Sequence, residues 1–158
     1  MTESSLAGAV YVDANPIAYA FEGPEELASA LMNLFSIFRT KPGLAVTSEL
    51  TLAEVLPKKR TPDRQFFDLL IWSRIFNLRP VTREILVETA NYRKNAGRRL
   101  PDGHFAMPKL PDAIHVVTAI RNDCKFFLSS DGRLKLPDTM KLVQATAGGV
   151  ATLIEELS

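Results

Sequence analysis

The chain has 158 residues, 46% of them hydrophobic and 23% charged, and a formal net charge of +1. This composition is typical of one globular domain, and the charge does not by itself indicate a nucleic-acid-binding protein. One cysteine and two histidines exclude an internal disulfide and a Cys/His zinc cluster, and we expect Cys124 to be an inert buried thiol. No apolar stretch is long enough to cross a membrane and the first twenty residues lack an export signal, so we expect a cytoplasmic protein.

Segments of strand character alternate with helix-like segments along the whole chain. The predicted strands are 7–14, 43–48, 78–82, 125–130 and 141–145. The predicted helices are 15–23, 24–39, 49–57, 63–76, 83–97, 112–121 and 150–158. This alternation predicts an α/β fold: a single domain, 1–158, with a mainly parallel sheet of four to five strands flanked by helices. In such sheets, ligands bind beyond the carboxyl ends of the strands.

Four carboxylates lie at or just after a predicted strand end or helix start. Asp13 ends the first strand, Glu54 lies on the helix after the second, Asp112 opens a helix, and Asp131 follows the strand "FFLSS". A parallel sheet gathers its strand ends along one edge, so these groups would repel one another unless a divalent cation neutralised them. Oxygen ligands alone suit Mg²⁺ or Mn²⁺. Such a site typically cleaves or transfers phosphate esters.

Each of these carboxylates also has a purely structural interpretation, and these alternatives stay open. Asp13 could cap the next helix, and Asp112 could lie in a first turn where its charge suits the helix dipole. Asp131 could belong to an ordinary turn. Glu54 could form a capping box with Thr51, which precedes it by three residues.

The tripeptide Leu-Pro-Asp occurs three times, ending at Asp102, Asp112 and Asp138. Asp102 lies in a polar loop, and Asp138 has no acidic partner in the pattern. Asp112 differs because it opens the apolar helix "PDAIHVVTAI". We therefore predict that Asp112 is a metal ligand and that the other two are turn residues.

The segments "VYVDANPIAYAFEG", "TSELTLAEVL", "LPDAIHVVTAI" and "FLSSDGRL" resemble, in that order, the four acidic motifs of PIN-domain ribonucleases. More narrowly, they look like the VapC toxins of bacterial or archaeal toxin–antitoxin pairs. The resemblance runs from about residue 9 to residue 136. It implies an endoribonuclease that depends on Mg²⁺ or Mn²⁺. The residues that match the family's acidic positions, and would bind metal and catalyse cleavage, are Asp13, Glu54, Asp112 and Asp131.

The resemblance also implies supporting residues and partners. Asn15 matches the asparagine of the first motif, and Ser130 occupies a small polar position that supports Asp131 or the substrate. The family implies a homodimer and a cognate VapB-like antitoxin, for whose groove the apolar helices 24–39 and 63–76 are candidate walls. The chain departs from the family at Ala14, where Thr or Ser is usual, and in the segment "DGHFAMPK", which lengthens the loop before the third motif.

RNA binding requires positive charge. Setting aside the four site carboxylates leaves fourteen of the eighteen acidic residues against nineteen basic ones. Two basic clusters could contact the RNA backbone, although each is also explained by a solvated helix end and loop. Their candidate residues are Lys58, Lys59, Arg60, Arg98 and Arg99. His115, one helical turn beyond Asp112, is either an RNA contact or a structural histidine. Trp72 and its aromatic neighbours are predicted to pack in the core or at an interface.

Two other classes of protein share parts of this pattern. A phosphoaspartyl enzyme or receiver domain also places an Asp at a strand end. However, Asn15 stands where a dehalogenase-type site needs a second Asp, and the acidic pair of a receiver is absent. A PIN-like module that binds RNA or protein without cleaving is compatible with every motif, and a nuclease assay separates it from the enzyme.

Overall fold

A computed structural model describes residues 8–57 and 60–158. The strands are β1 (Val10–Val12), β2 (Ala45–Ser48), β3 (Phe76–Arg79), β4 (Arg98–Arg99), β5 (Phe105–Ala106), β6 (Phe126–Ser129) and β7 (Lys141–Gln144). The helices are α1 (Ala14–Glu22), α2 (Glu25–Thr40), α3 (Leu50–Val55), α4 (Asp63–Phe67), α5 (Arg83–Ala96), α6 (Leu110–Arg121) and α7 (Ala147–Leu157). Helix α4 continues directly into a π-helical turn, Asp68–Trp72.

The main sheet has the strand order β3-β2-β1-β6-β7, and all its neighbouring pairs are parallel. Parallel neighbours require crossover connections, which the helices supply on both faces of the sheet. The predicted α/β fold with a five-stranded, mainly parallel sheet is therefore confirmed. Strands β4 and β5 form a separate antiparallel hairpin, which the sequence did not predict.

Strand β1 lies at the centre of the sheet, and each of its residues is buried. Val10 and Val12 pack into the core formed with α1, α2, α4 and α7. Tyr11 faces the opposite core, where it meets Val116 of α6 and Phe127 of β6. Successive side chains of a strand point to opposite faces, so a strand covered on both faces must be apolar throughout. The first polar side chain after this run is Asp13, at the carboxyl edge of the sheet.

The predicted boundary between the helix 63–76 and the strand 78–82 is wrong. The helix ends at Trp72 because the Ser73 N–H bonds to the Asp68 carbonyl at 2.8 Å and Arg74 takes a left-handed φ of 60°. Strand β3 then begins at Phe76, where helix was predicted. Phe76 is buried as predicted, whereas Trp72 is 62% exposed and lies outside the core.

The carboxyl-terminal helix begins earlier than the predicted residue 150. Thr146 caps α7 by accepting a 3.0 Å hydrogen bond from the Gly149 N–H. A Cβ atom at Gly149 would lie only 2.2 Å from the Gln144 carbonyl oxygen, so only glycine fits this first turn. Cys124 is buried, as predicted, and burial raises its pKa to about 12. Across residues 8–57 and 60–158, no helix has both the length and the apolarity to cross a membrane.

Candidate active site

Asp13 lies where β1 ends and α1 begins, and both of its carboxylate oxygens are held. Oδ1 accepts a 2.8 Å hydrogen bond from the Ala14 N–H, and Oδ2 accepts one of 2.8 Å from the Ser129 hydroxyl. The residue is 7% exposed. The predicted helix cap is present, but capping uses only one oxygen. The Ser129 bond fixes the second oxygen, so the carboxylate has one orientation at the sheet edge.

Glu54 projects from α3 toward the same edge of the sheet. Its Oε1 accepts a 2.5 Å hydrogen bond from Nε2 of His115, and its side chain is 31% exposed. The capping-box alternative is wrong, since Glu49 rather than Thr51 precedes the helix. Thr51 is instead buried, 2.8 Å from the Thr47 hydroxyl. Glu54 therefore does not cap its own helix, and its carboxylate is positioned by a histidine from another helix.

His115 connects the sheet to Glu54. It is fully buried on α6, with Nδ1 2.5 Å from the Tyr11 hydroxyl and Nε2 3.6 Å from Oδ1 of Asp13. Burial, and then the charge of Asp13, raise the pKa of Tyr11 well above its ordinary value, so the phenol keeps its proton. Nε2 donates to Glu54 and Nδ1 is bonded to the Tyr11 hydroxyl, so both ring nitrogens are engaged and the imidazole has one orientation. This burial fits a structural histidine and leaves no surface for RNA.

Asp112 lies in the first turn of α6, as the purely structural interpretation of this residue predicted. Burial raises the pKa of its carboxyl group, and the negative charges of Asp13 and Asp131 raise it further. Glu54 adds a smaller effect in the same direction. The three other predicted ligands are therefore near enough to Asp112 to disfavour its ionised form.

Asp131 follows β6 in a tight turn. Its backbone N–H donates a 3.0 Å hydrogen bond to the Ser129 hydroxyl, and its Oδ1 accepts one of 2.9 Å from the Arg133 N–H. The predicted turn is thus present. One carboxylate oxygen organises this turn, while the second oxygen is not used by it and can serve a ligand in the adjoining pocket.

All four carboxylates line one open pocket of about 580 Å³. Asn15 and Ser130 also line it, joined by a 3.0 Å hydrogen bond from Asn15 Nδ2 to Ser130 Oγ. The remaining lining residues are Lys109, Pro111, Gly132 and Arg133. Of the predicted RNA contacts, Lys58 and Lys59 lie outside the described residues, while Arg60, Arg98 and Arg99 are exposed and do not line this pocket.

The donor chemistry of the pocket fits a hard divalent cation. Its charged ligand candidates are carboxylates, the groups that Mg²⁺ and Mn²⁺ prefer. Burial and, after it, their mutual repulsion raise the pKa of Asp112. In the described part of the chain, no three acidic, histidine or cysteine side chains stand close enough together to hold a metal ion as they are.

A sequence profile of the PIN domain matches residues 10–139. The chain belongs to the PIN-domain family. No curated protein matches the chain. PIN domains are typically nucleases, and they generally use divalent metal ions, so membership supports a ribonuclease kind of activity for this chain. The matched residues include β1 and β6, whose carboxyl ends carry Asp13 and Asp131, and the start of α6, which carries Asp112.

Sequence reasoning missed two residues that organise the pocket of this PIN domain. Ser129 links Asp13 to the backbone of Asp131, yet the adjacent Ser130 was the predicted support. A serine two residues before Asp131 is the pattern of a side-chain turn, which could have drawn attention to Ser129. The role of Tyr11 could not be predicted from the sequence, because an aromatic residue in an apolar strand usually belongs to the hydrophobic core.

Proposed function

We propose that this PIN domain is an endoribonuclease that hydrolyses RNA phosphodiester bonds with the help of Mg²⁺ or Mn²⁺. The observation that carries the proposal is the convergence of four carboxylates in one pocket at the carboxyl edge of the sheet. We treat the whole chain, 1–158, as a single domain, since α7 outside the matched region packs into the same core.

The four carboxylates would have different roles in the reaction. Asp13, Asp112 and Asp131 would hold a cation, directly or through water, and Glu54 would bind a second ion or orient the attacking water. A bound cation lowers the pKa of a water ligand and neutralises charge that builds on the phosphate. Lys109 and Arg133 line the pocket and would attract the phosphodiester. In-line attack by water leaves a 5′-phosphate and a 3′-hydroxyl.

A nuclease assay on single substitutions tests the enzyme. Asp112→Asn should lower the cleavage of a labelled RNA by at least about 100-fold, because it removes a charge that holds the cation. Asp138→Asn is the matched control, since it alters an exposed Leu-Pro-Asp aspartate outside the pocket. This control should keep wild-type activity, and EDTA should abolish cleavage by the wild type and by the control.

The same assay separates the competing classes. Full activity of Asp112→Asn would overturn the assignment of the site. A wild-type protein that binds RNA but never cleaves it, with either Mg²⁺ or Mn²⁺, would instead identify a binding module. Acid-labile phosphate on Asp13 would favour the phosphoaspartyl class.

We further propose that the enzyme is the VapC-like toxin of a toxin–antitoxin pair and acts in the cytoplasm as a homodimer. Support comes from the four motifs and from an apolar groove between α2 and the π-helical turn, lined by Phe21, Met32, Leu69 and Trp72. Such a groove suits the apolar face of an antitoxin segment. Expression of the protein alone should arrest growth, and co-expression of the neighbouring small reading frame should restore it. Arrest that persists in Asp112→Asn would contradict toxicity through RNA cleavage.

A further inference from the structure

The β4–β5 hairpin (residues 98–106) is the feature of the described chain that the proposed active site leaves without a role. We propose that this hairpin is a binding arm for single-stranded RNA, with Phe105 as a stacking surface for an unpaired base and Arg98 and Arg99 as contacts to backbone phosphates. The inference rests on the proposed ribonuclease function and specifies the substrate class of that same site.

The hairpin is held by more than its two short strands. Arg99 pairs with Phe105 across the strands, and the Leu100 N–H donates to the His104 carbonyl at 2.7 Å. Within the turn, Arg99 Nη1 donates to the Gly103 carbonyl at 3.0 Å, and Asp102 accepts from the His104 N–H at 3.0 Å. Strands of two residues are marginal alone, so these turn contacts give the segment a defined shape.

Phe105 is both fixed and exposed. It is 44% exposed, and the Arg99 guanidinium carbon lies 5.5 Å from its ring centroid. Its ring edge also lies against Gly97, where an added Cβ would come within 2.5 Å of two ring carbons. A glycine at this position thus makes room for an aromatic side chain that the core does not use. Exposed aromatic rings beside basic groups are the surfaces on which single-stranded nucleic acids stack.

The charge of this segment suits RNA rather than an apolar protein partner. Residues 93–109 contain five basic residues and one acidic residue, Asp102. That carboxylate is itself paired with Nδ1 of His104 at 3.0 Å. Arg98 and Arg99 are both exposed, so their charges are available to phosphates. Positive charge on the arm would offset the repulsion between RNA and the acidic pocket.

The arm leads directly into the active-site pocket. Strand β5 ends at Ala106, and Lys109, three residues later, lines the pocket and precedes the helix that carries Asp112. Three residues span at most about 10 Å. Arg93 clamps this connection through a 2.8 Å hydrogen bond from Nε to the Pro108 carbonyl. A single strand of RNA bound to the arm would therefore enter the pocket, and its bases must be unpaired to stack on Phe105.

Binding measurements on an Asp112→Asn background test the arm without cleavage. The probes are a fluorescently labelled 12-nucleotide RNA and the same RNA annealed to its complement, in EDTA. Phe105→Ala should weaken single-strand binding about tenfold and change duplex binding less than twofold, and Phe105→Trp should restore single-strand binding. Trp72→Ala, which removes an exposed aromatic from another surface, should have no effect.

Two further variants test the basic residues and the ring position. Replacing both Arg98 and Arg99 by Ala should lower the slope of log affinity against log salt by about 1.4, whereas replacing the exposed Arg39 and Arg64 should not. Gly97→Ala keeps every charge but displaces the ring, so it should weaken binding of the single strand as Phe105→Ala does. Melting temperatures equal to that of the parent show that each variant is folded.

The outcomes distinguish failure of the arm from failure of the proposed enzyme. Equal single-strand affinity of the Phe105→Ala and Trp72→Ala variants, equal losses for duplex and single strand, or no detectable binding by the parent would each overturn the arm. Binding that needs Phe105 in a wild-type protein that never cleaves RNA would uphold the arm and overturn the enzyme. Cleavage by the wild type, together with an unchanged KM in Phe105→Ala, would uphold the enzyme and overturn the arm.

Discussion

Ser129 holds Asp13 across the sheet: its buried hydroxyl donates a 2.8 Å hydrogen bond to Oδ2 of an aspartate 116 residues earlier. Ser129→Ala would leave that oxygen without its donor. We expect it to lower the free energy of unfolding by about 1–3 kcal/mol and to reduce RNA cleavage, because the carboxylate loses its fixed orientation. Urea denaturation and initial cleavage rates measure the two effects.

A matched substitution at the neighbouring serine isolates the buried bond. Ser130 is exposed and its hydroxyl accepts a hydrogen bond from Asn15, so Ser130→Ala should change the free energy of unfolding by less than about 0.5 kcal/mol. Equal destabilisation by the two variants would show that the Ser129 bond has no special contribution.

Tyr11→Phe tests whether the buried hydroxyl orients His115 and, through it, Glu54. The variant loses the hydroxyl partner of Nδ1, which frees the imidazole to change its orientation. We expect a stability loss of about 1 kcal/mol and a fall in kcat smaller than that caused by Glu54→Gln. Steady-state kinetics should show KM for RNA unchanged, because His115 is buried away from the substrate.

Tyr92→Phe makes the same chemical change at a hydroxyl that donates to the Lys135 carbonyl at 2.7 Å rather than to the histidine. Its kcat should match that of the wild type. A loss of kcat in Tyr92→Phe as large as in Tyr11→Phe would contradict a specific role for the link between Tyr11 and His115.

Asp112→Asn should stabilise the metal-free protein at neutral pH. The raised pKa of Asp112 means that its charged form is less favourable in the folded than in the unfolded chain. This cost is absent below about pH 4, where the group is protonated in both states, and it appears as the pH rises through the folded pKa. Because the side chain is partly exposed, we expect a gain of only about 1–3 °C in Tm at pH 7 in EDTA.

Asp63→Asn provides the control, since Asp63 also lies in the first turn of a helix but outside the acidic pocket. It should lower Tm slightly, because only the favourable interaction with the helix dipole is lost. Added Mg²⁺ should reverse the order of wild type and Asp112→Asn, since a cation stabilises the state that binds it. A lower Tm for Asp112→Asn in EDTA at pH 7 would contradict repulsion among the carboxylates.

Cys124 should resist thiol reagents in the folded protein. Burial raises its pKa to about 12, so its thiolate fraction at pH 8 is about a thousandfold below that of an ordinary cysteine. The associated stability is fully present below about pH 8.5 and is lost as the pH rises toward 12. Labelling at pH 8 should require urea, and rapid labelling of the native protein would contradict this burial.

Features that follow from the local sequence pattern were predicted correctly, whereas features that depend on contacts between distant residues were not. Asp13 and Asp131 could be placed because apolar strands end just before them at the edge of a parallel sheet, and Asp112 could be placed because it opens an apolar helix. The hairpin around Phe105 could not, because two-residue strands leave no periodicity and depend on contacts to Gly97 and across the turn. The bond between Thr47 and Thr51 likewise overrode a local capping pattern.

The pairing of β1 with β6 bears on when a ribosome-bound chain could become active. Residues 10–12 pair with residues 126–128, so Asp13 has neither Ser129 nor Asp131 beside it until the chain has been synthesised past residue 131. Contacts between such distant parts of a chain form slowly, because a long loop must close first. Under the proposed function, a nascent chain carries its carboxylates as separate charges, and the messenger RNA being translated is protected from its own product until β6 and Asp131 have left the ribosome.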